Sequence, residues 1–146
     1  MRVVIISGYF NPLHTGHLDY IQAASKLGDR LIVIVNNDKQ VKLKGSVPFM
    51  KEAERMRIVN AIKGVDQVTL STDTGESVVE TLKSLYNEYA VGYFFDSMIF
   101  ANGGDRKKNN SPEEEFCAWR TIKTIYNVGG KKTQSSSELL KEDQDA

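Results

Sequence analysis

RVVIISGYFNPLHTGH, residues 2–17, is the stretch from which the rest of the chain can be read. Its first six residues are a short, almost continuous β-branched run, the pattern of a strand buried on both faces of a parallel sheet. The pattern then stops at Gly8, and a loop with Pro12 and Gly16 carries His14 and His17 into a helical repeat of Leu18, Ile21, Ala24 and Leu27. Gly28 stands where a left-handed C-cap is expected, and LIVIV at 31–35 is a second buried run. Strand, helix and strand in this order predict a β-α-β unit with a right-handed crossover.

The alternation continues outward. A helix is expected over 51–63 with Ala53, Met56, Val59 and Ile62 on one face, then a strand QVTL at 67–70 and a turn at Thr74-Gly75. Val78, Leu82 and Leu85 predict a helix over 76–87, and a further strand is expected within 91–101. GGDRKKNNSP at 103–112 has turn formers and charge but nothing to bury, so it reads as a surface loop. Ser111-Pro112 with Glu114 predicts an N-cap, a first helical residue and a capping box. TIKTIY at 121–126 alternates like a less buried strand, GGKKT follows, and a last helix is expected to begin in SSSELL. The expected architecture is α/β: a doubly wound, mainly parallel five-stranded sheet with helices on both faces, forming one domain over 1–140 with a frayed tail at 141–146.

Composition narrows the function classes. The 146 residues suit one ordinary domain, and 40% apolar and 26% charged residues exclude a largely disordered chain. Nineteen basic residues balance nineteen acidic ones, so the net charge calls for neither nucleic acid nor an anionic membrane. The chain opens on a strand-like run and holds no long apolar segment, so neither a leader nor a membrane span is expected. A lone cysteine, Cys117, fits a reducing cytoplasm and reads as a half-buried residue beside Phe116 and Trp119, not as a nucleophile.

In doubly wound sheets ligands bind beyond the carboxyl ends of the strands. That rule selects the loops at 8–17 and 36–50, the one after residue 101, and the one before the last helix. In the first loop Gly8 is expected to admit close backbone approach, and Pro12 to stiffen the turn. His14 and His17, the chain's two histidines, share one face of the helix start, where amides and the helix dipole favour an anion. Zinc is the competing use of such a pair, but no third histidine or second cysteine exists to complete a site. At the other end of the chain, Ser135-Ser136-Ser137 with Glu138 reads as a capping-box helix start with hydroxyls for an anion.

FNPLHTGH resembles the HxGH signature of the nucleotidyltransferase superfamily with a Rossmann-like fold. LGDRLIVIVNND, LKG at 43–45, the Glu54-Arg55 pair, IKGVDQV at 62–68 and GGD at 103–105 are similar, in order, to blocks of glycerol-3-phosphate cytidylyltransferase and of the nucleotidyltransferase domain of ADP-heptose synthase. The resemblance implies attack of an acceptor's phosphate on the α-phosphate of CTP, placed ahead of ATP, with release of pyrophosphate. The expected acceptor is a small polyol or sugar phosphate, and an adenylyltransferase on heptose 1-phosphate is the alternative. A catalytically inactive nucleotide-binding protein is the reading from another class.

The resemblance further assigns roles. His14, His17, Lys44 and Arg55 are expected to be catalytic, with Lys44 gripping phosphate and the Arg55 guanidinium facing it. Gly8, Tyr9, Phe10, Gly16, Gly103, Gly104, Asp105, Ser135, Ser136 and Ser137 are expected at the nucleotide. Asn11, Asp38 and Lys44 are expected at the acceptor, and Lys42 is taken as a solvated charge. Mg²⁺ is expected on the triphosphate with no dedicated protein ligand, and a homodimer is expected because small members of the family are commonly dimers. Two departures bear on substrate: Asn11 stands where the relatives usually have aspartate, and GGKKTQSSS lacks their arginine, for which Lys131 or Lys132 offers charge without the bidentate fork.

Overall fold

The runs of branched apolar residues form the middle of one sheet. In a computed structural model that describes residues 1–92, 96–104 and 111–130, β1 (Arg2–Gly8) lies between β2 (Arg30–Val35) and β4 (Ser97–Gly103). β3 (Gln67–Leu70) and β5 (Lys123–Val128) are the outer strands, and the order is β3-β2-β1-β4-β5 with every pair parallel. The doubly wound, Rossmann-like sheet expected from the sequence is therefore present. Chain order reverses between β1 and β4, and this is where such sheets open a crevice at their carboxyl edge.

Helices cover both faces. Ile21 and Ala24 of α1 (Thr15–Ser25) and Val59 of α3 (Glu52–Asn60) bury against Val4, Ile6, Leu31, Val33 and Val35. Leu82, Leu85 and Tyr89 of α4 (Val79–Gly92) and Phe116 and Cys117 of α5 (Pro112–Trp119) bury against Val3, Ile5, Ile32, Ile34 and Phe100. Alternate residues of β1 and β2 thus feed two separate cores, which explains their lack of polar positions. Among the described residues no helix is long and apolar enough to cross a membrane.

Several local expectations need correction. The 36–50 segment is not all loop: α2 (Asp38–Leu43) starts there on a capping box, in which Asn37 Oδ1 accepts from Gln40 N and Gln40 Oε1 from Asn37 N. Gly28 has no left-handed backbone; it is glycine because a Cβ would sit 2.8 Å from the Arg2 carbonyl of β1. In α3 the buried residues are Arg55 and Val59, while Ala53 is exposed. β4 runs to Gly103, past the expected limit at 101. Ser111 Oγ caps α5 by accepting from Glu114 N, but the Glu114 carboxylate also accepts from the Tyr126 hydroxyl, tying α5 to β5. Cys117 is fully buried and its thiol, hydrogen-bonded to Thr124, is pushed up to about 11 chiefly by burial, which makes it inert as a nucleophile. The loop residues 105–110, the last helix expected from SSSELL and the tail at 141–146 lie outside the described residues.

Candidate active site

The loop from β1 to α1 arranges both histidines through their backbone. His14 is the N-cap of α1: its Nδ1 accepts from Gly16 N at 3.1 Å, while His17 Nδ1 accepts from His14 N, also at 3.1 Å. This is a capping box made of two imidazoles. A ring nitrogen that accepts carries no proton, so each neutral ring holds its proton on Nε2. The rings stack with centroids 3.9 Å apart at 26°, and Phe10 meets His17 edge-on at 5.0 Å. Two imidazolium charges at this spacing would repel by about 4 kcal/mol at an effective dielectric constant of 20. Each ring is thus oriented through Nδ1, with Nε2 as its donor nitrogen.

Glycine has a specific task here. A Cβ on Gly16 would lie 2.9 Å from His14 Cε1 and 3.0 Å from Nδ1, so any side chain would displace the capping ring. Gly8 differs from expectation, because the space beside it holds the Phe10 ring, 2.7 Å from where a Cβ would be. Phe10 is itself fully buried, with φ of 51°, and supports His17 from the core side. The helix start is also less open than its dipole suggests: Gly16 N–H goes to the His14 ring and His17 N–H to the His14 carbonyl. What this turn can offer an anion is chiefly its imidazole donors in the field of the helix terminus.

Arg55 does not face an open site. It is 0% exposed, with Nε donating to the Met50 carbonyl, Nη1 to the carbonyls of Tyr9 and Asn36, and Nη2 to Asp38 Oδ1 at 2.7 Å. Four of its five N–H donors are thus spent inside the protein. Its place is beneath the site, joining the loop after β1, the end of β2, the start of α2 and the segment before α3. Asp38, expected at the acceptor, is the half-buried carboxylate that pairs with Arg55, and its own amide is held by Glu52 Oε1.

Asn11 is 4% exposed and also committed to the protein: Nδ2 donates to the Val47 carbonyl at 2.8 Å and Oδ1 accepts from Met50 N at 3.0 Å. Lys44, the C-cap of α2, is exposed, and its ammonium lies 4.3 Å from the centroid of the Tyr9 ring. The structure therefore brings His14, His17, Tyr9, Asn11 and Lys44 together around the end of β1, with Arg55 and Asp38 as their underside.

Across the crevice, Gly103 ends β4 and Gly104 turns the chain after it. A Cβ on Gly104 would strike the Gly130 carbonyl, and one on Gly129 would approach Tyr20 Cα to 2.8 Å. Tyr20 of α1 donates to the Ala101 carbonyl at 2.5 Å. Gly129, Gly130 and Tyr20 close this edge and were missed in the sequence; the GG pair directly after the last strand was the available signal. Asp105, Lys131, Lys132, Ser135, Ser136, Ser137 and Glu138 lie outside the described residues.

A family model for cytidylyltransferase-like proteins matches residues 5–138, nearly the whole of the chain. The chain belongs to the cytidylyltransferase-like family. Bifunctional protein HldE of Erwinia tasmaniensis is 37% identical over 138 residues, which cover 89% of this chain and 29% of that protein. FAD synthase of Ferroglobus placidus is 37% identical over 94 residues, 64% of this chain and 60% of the relative. Family membership thus rests on a domain that spans less than two thirds of these curated relatives. Among solved structures, the lipopolysaccharide core biosynthesis protein from Thermoplasma volcanium superposes with a TM-score of 0.64 at 25% identity, covering 88% of this chain and 96% of that one.

Proposed function

We propose that this domain transfers a nucleoside monophosphate from a nucleoside triphosphate to the phosphate of a small acceptor. The acceptor oxygen attacks the α-phosphorus, the bond from that phosphorus to the α,β-bridging oxygen breaks, and pyrophosphate leaves with the bonding electrons. A phosphomonoester has a second pKa of about 6, so at neutral pH it attacks as a dianion and no general base is required. Catalysis then consists of positioning and of donors aimed where charge develops. The observation that carries this reading is the stacked His14–His17 pair, each Nδ1 held by a backbone amide so that Nε2–H remains as donor.

Lys44 adds positive charge at the loop edge, and the glycine-lined end of β4 serves the nucleoside. Mg²⁺ is proposed to arrive on the triphosphate, held by phosphate oxygens and water, where it neutralises charge on the leaving group. Among the described residues no group of three or more His, Cys, Asp or Glu stands together as a cage, and a triphosphate-borne ion needs none. ATP moves ahead of CTP as donor, since adenine nucleotides stand in the name of FAD synthase and in the ADP-heptose synthase resemblance. A polyol or sugar phosphate acceptor, a homodimer and a cytoplasmic setting belong to the same proposal.

Pyrophosphate release from a panel of nucleoside triphosphates and phosphorylated acceptors tests it. Turnover that requires both substrates is expected. No turnover with any pair, together with nucleotide binding unchanged by His17→Ala, would assign the fold to a non-catalytic nucleotide-binding protein.

A further inference from the structure

The segment from Lys44 to Met50 crosses from the end of α2 to the start of α3, directly beside the loop that carries the histidines. Gly45, at φ of +91°, turns it out of the helix, and Ser46 N is anchored on the Val41 carbonyl. It is then pinned twice more: Asn11 holds the Val47 carbonyl and the Met50 amide, and Arg55 holds the Met50 carbonyl. A strap fixed at both ends has lost its conformational freedom before any ligand arrives.

Its outer surface is unusual for this chain. Val47 is 74% exposed and Phe49 59%, and Leu43, the last residue of α2 just before the strap, is 53% exposed, so half of the exposed large apolar side chains among the described residues fall within seven consecutive positions. The others, Ile58, Val91 and Trp119, are dispersed over three helices. Single exposed apolar residues need no explanation, but a rigid apolar strap at the rim of a phosphate site does. The strap lies on the β2 side of β1, whereas the glycine-lined edge lies on the β4 side. With the nucleoside proposed at the glycine-lined edge, the strap's side of β1 is the one that falls to the acceptor.

We infer that the strap is the acceptor-selecting wall of the site, that Asn11 is the positioning residue that holds it, and that the acceptor joins its phosphate to an apolar body that Val47 and Phe49 meet. The inference rests on the nucleotidyl-transfer reading but replaces its polyol-type acceptor. Asn11 suits this role because an amide both donates and accepts; a carboxylate could still take the Met50 N–H but would oppose the Val47 carbonyl.

Two measurements decide it, and neither depends on turnover. Amide hydrogen exchange across 46–50 in the free protein is expected to quicken by about tenfold or more in Asn11→Ala, as loss of one or two hydrogen bonds predicts. In Asn11→Asp the Met50 amide should stay protected while its neighbours loosen. Exchange unchanged in Asn11→Ala would remove the tether. NMR titration should show phenyl phosphate shifting Val47 and Phe49 signals and binding about tenfold more tightly than glycerol 3-phosphate, a difference of the size expected for partial burial of one aromatic ring. Phe49→Ser, an exposed substitution that leaves folding intact, should erase that difference. Equal binding of the two probes, or a preference that survives Phe49→Ser, would overturn the apolar wall. So would a shift in oligomeric state in Phe49→Ser with the phosphate preference unchanged, which would assign the strap to contact between copies. If both measurements succeed while no panel substrate turns over, the nucleotidyl-transfer reading fails and the strap's ligand preference stands.

Discussion

The two edges of the sheet handle buried polar groups in opposite ways. At the amino edge, Arg30 donates to the Tyr89 hydroxyl at 2.5 Å and to Gln67 Oε1 at 3.1 Å, Tyr89 donates to the same Gln67 oxygen, and Asp66 and Asp29 receive the amides of Leu31 and Arg2. Every one of these bonds closes the fold on itself. At the carboxyl edge the same kind of bonding fixes side chains from behind: the imidazoles are held through Nδ1, and the strap through Asn11 and Arg55. One edge stores stability, and the other spends hydrogen bonds to orient donors.

Breaking that contrast should produce effects of graded size. Arg55→Met removes a fully buried guanidinium that serves three carbonyls and one half-buried carboxylate, and loss of one partner of a buried ion pair costs about 3–5 kcal/mol. Denaturant unfolding should show a loss in that range, far above that of an exposed site; a loss under about 1 kcal/mol would mean the underside is not a hub. Gly16→Ala should cost only about 1 kcal/mol of stability, the worth of the cap bond it displaces, yet lower kcat by about 10- to 100-fold because the Cβ moves the His14 ring. Full activity in that variant would show that the ring can be moved without harm. At the opposite edge, Tyr89→Phe should cost only about 1 kcal/mol, the worth of the lost hydroxyl bonds, with kcat unaltered. A fall in kcat there would erase the distinction between the edges.

How far the sequence could be read divides along the same line. Continuous branched runs such as RVVIIS and LIVIV can serve little except buried parallel strands, so the sheet and its two helical layers were legible. α2 was not, because its signal is polar: Asn37 and Gln40 form a capping box in a stretch with few apolar residues to mark a face. His14 and His17 were legible as a pair because their spacing alone puts them on one turn. Their tautomers were not, since these depend on which backbone amide each ring meets. Arg55, Asp38 and Asn11 were marked as important by residue type, but a residue type does not say whether a guanidinium or an amide faces a ligand or a neighbouring carbonyl. Only the tertiary contact assigns them to the support of the site.

The central claim is that the Nε2–H donors of the stacked histidines stabilise the transferred phosphoryl group. It is tested most directly by the kcat of pyrophosphate release in His17→Ala, measured with the wild-type substrate pair on protein whose melting has been checked. A fall of about 10²–10³ is expected, the usual loss of one preorganised donor, with stability lowered by about 1–3 kcal/mol because one capping bond and the ring contacts to His14 and Phe10 disappear. A His17→Ala variant that turns over at the wild-type rate would contradict it.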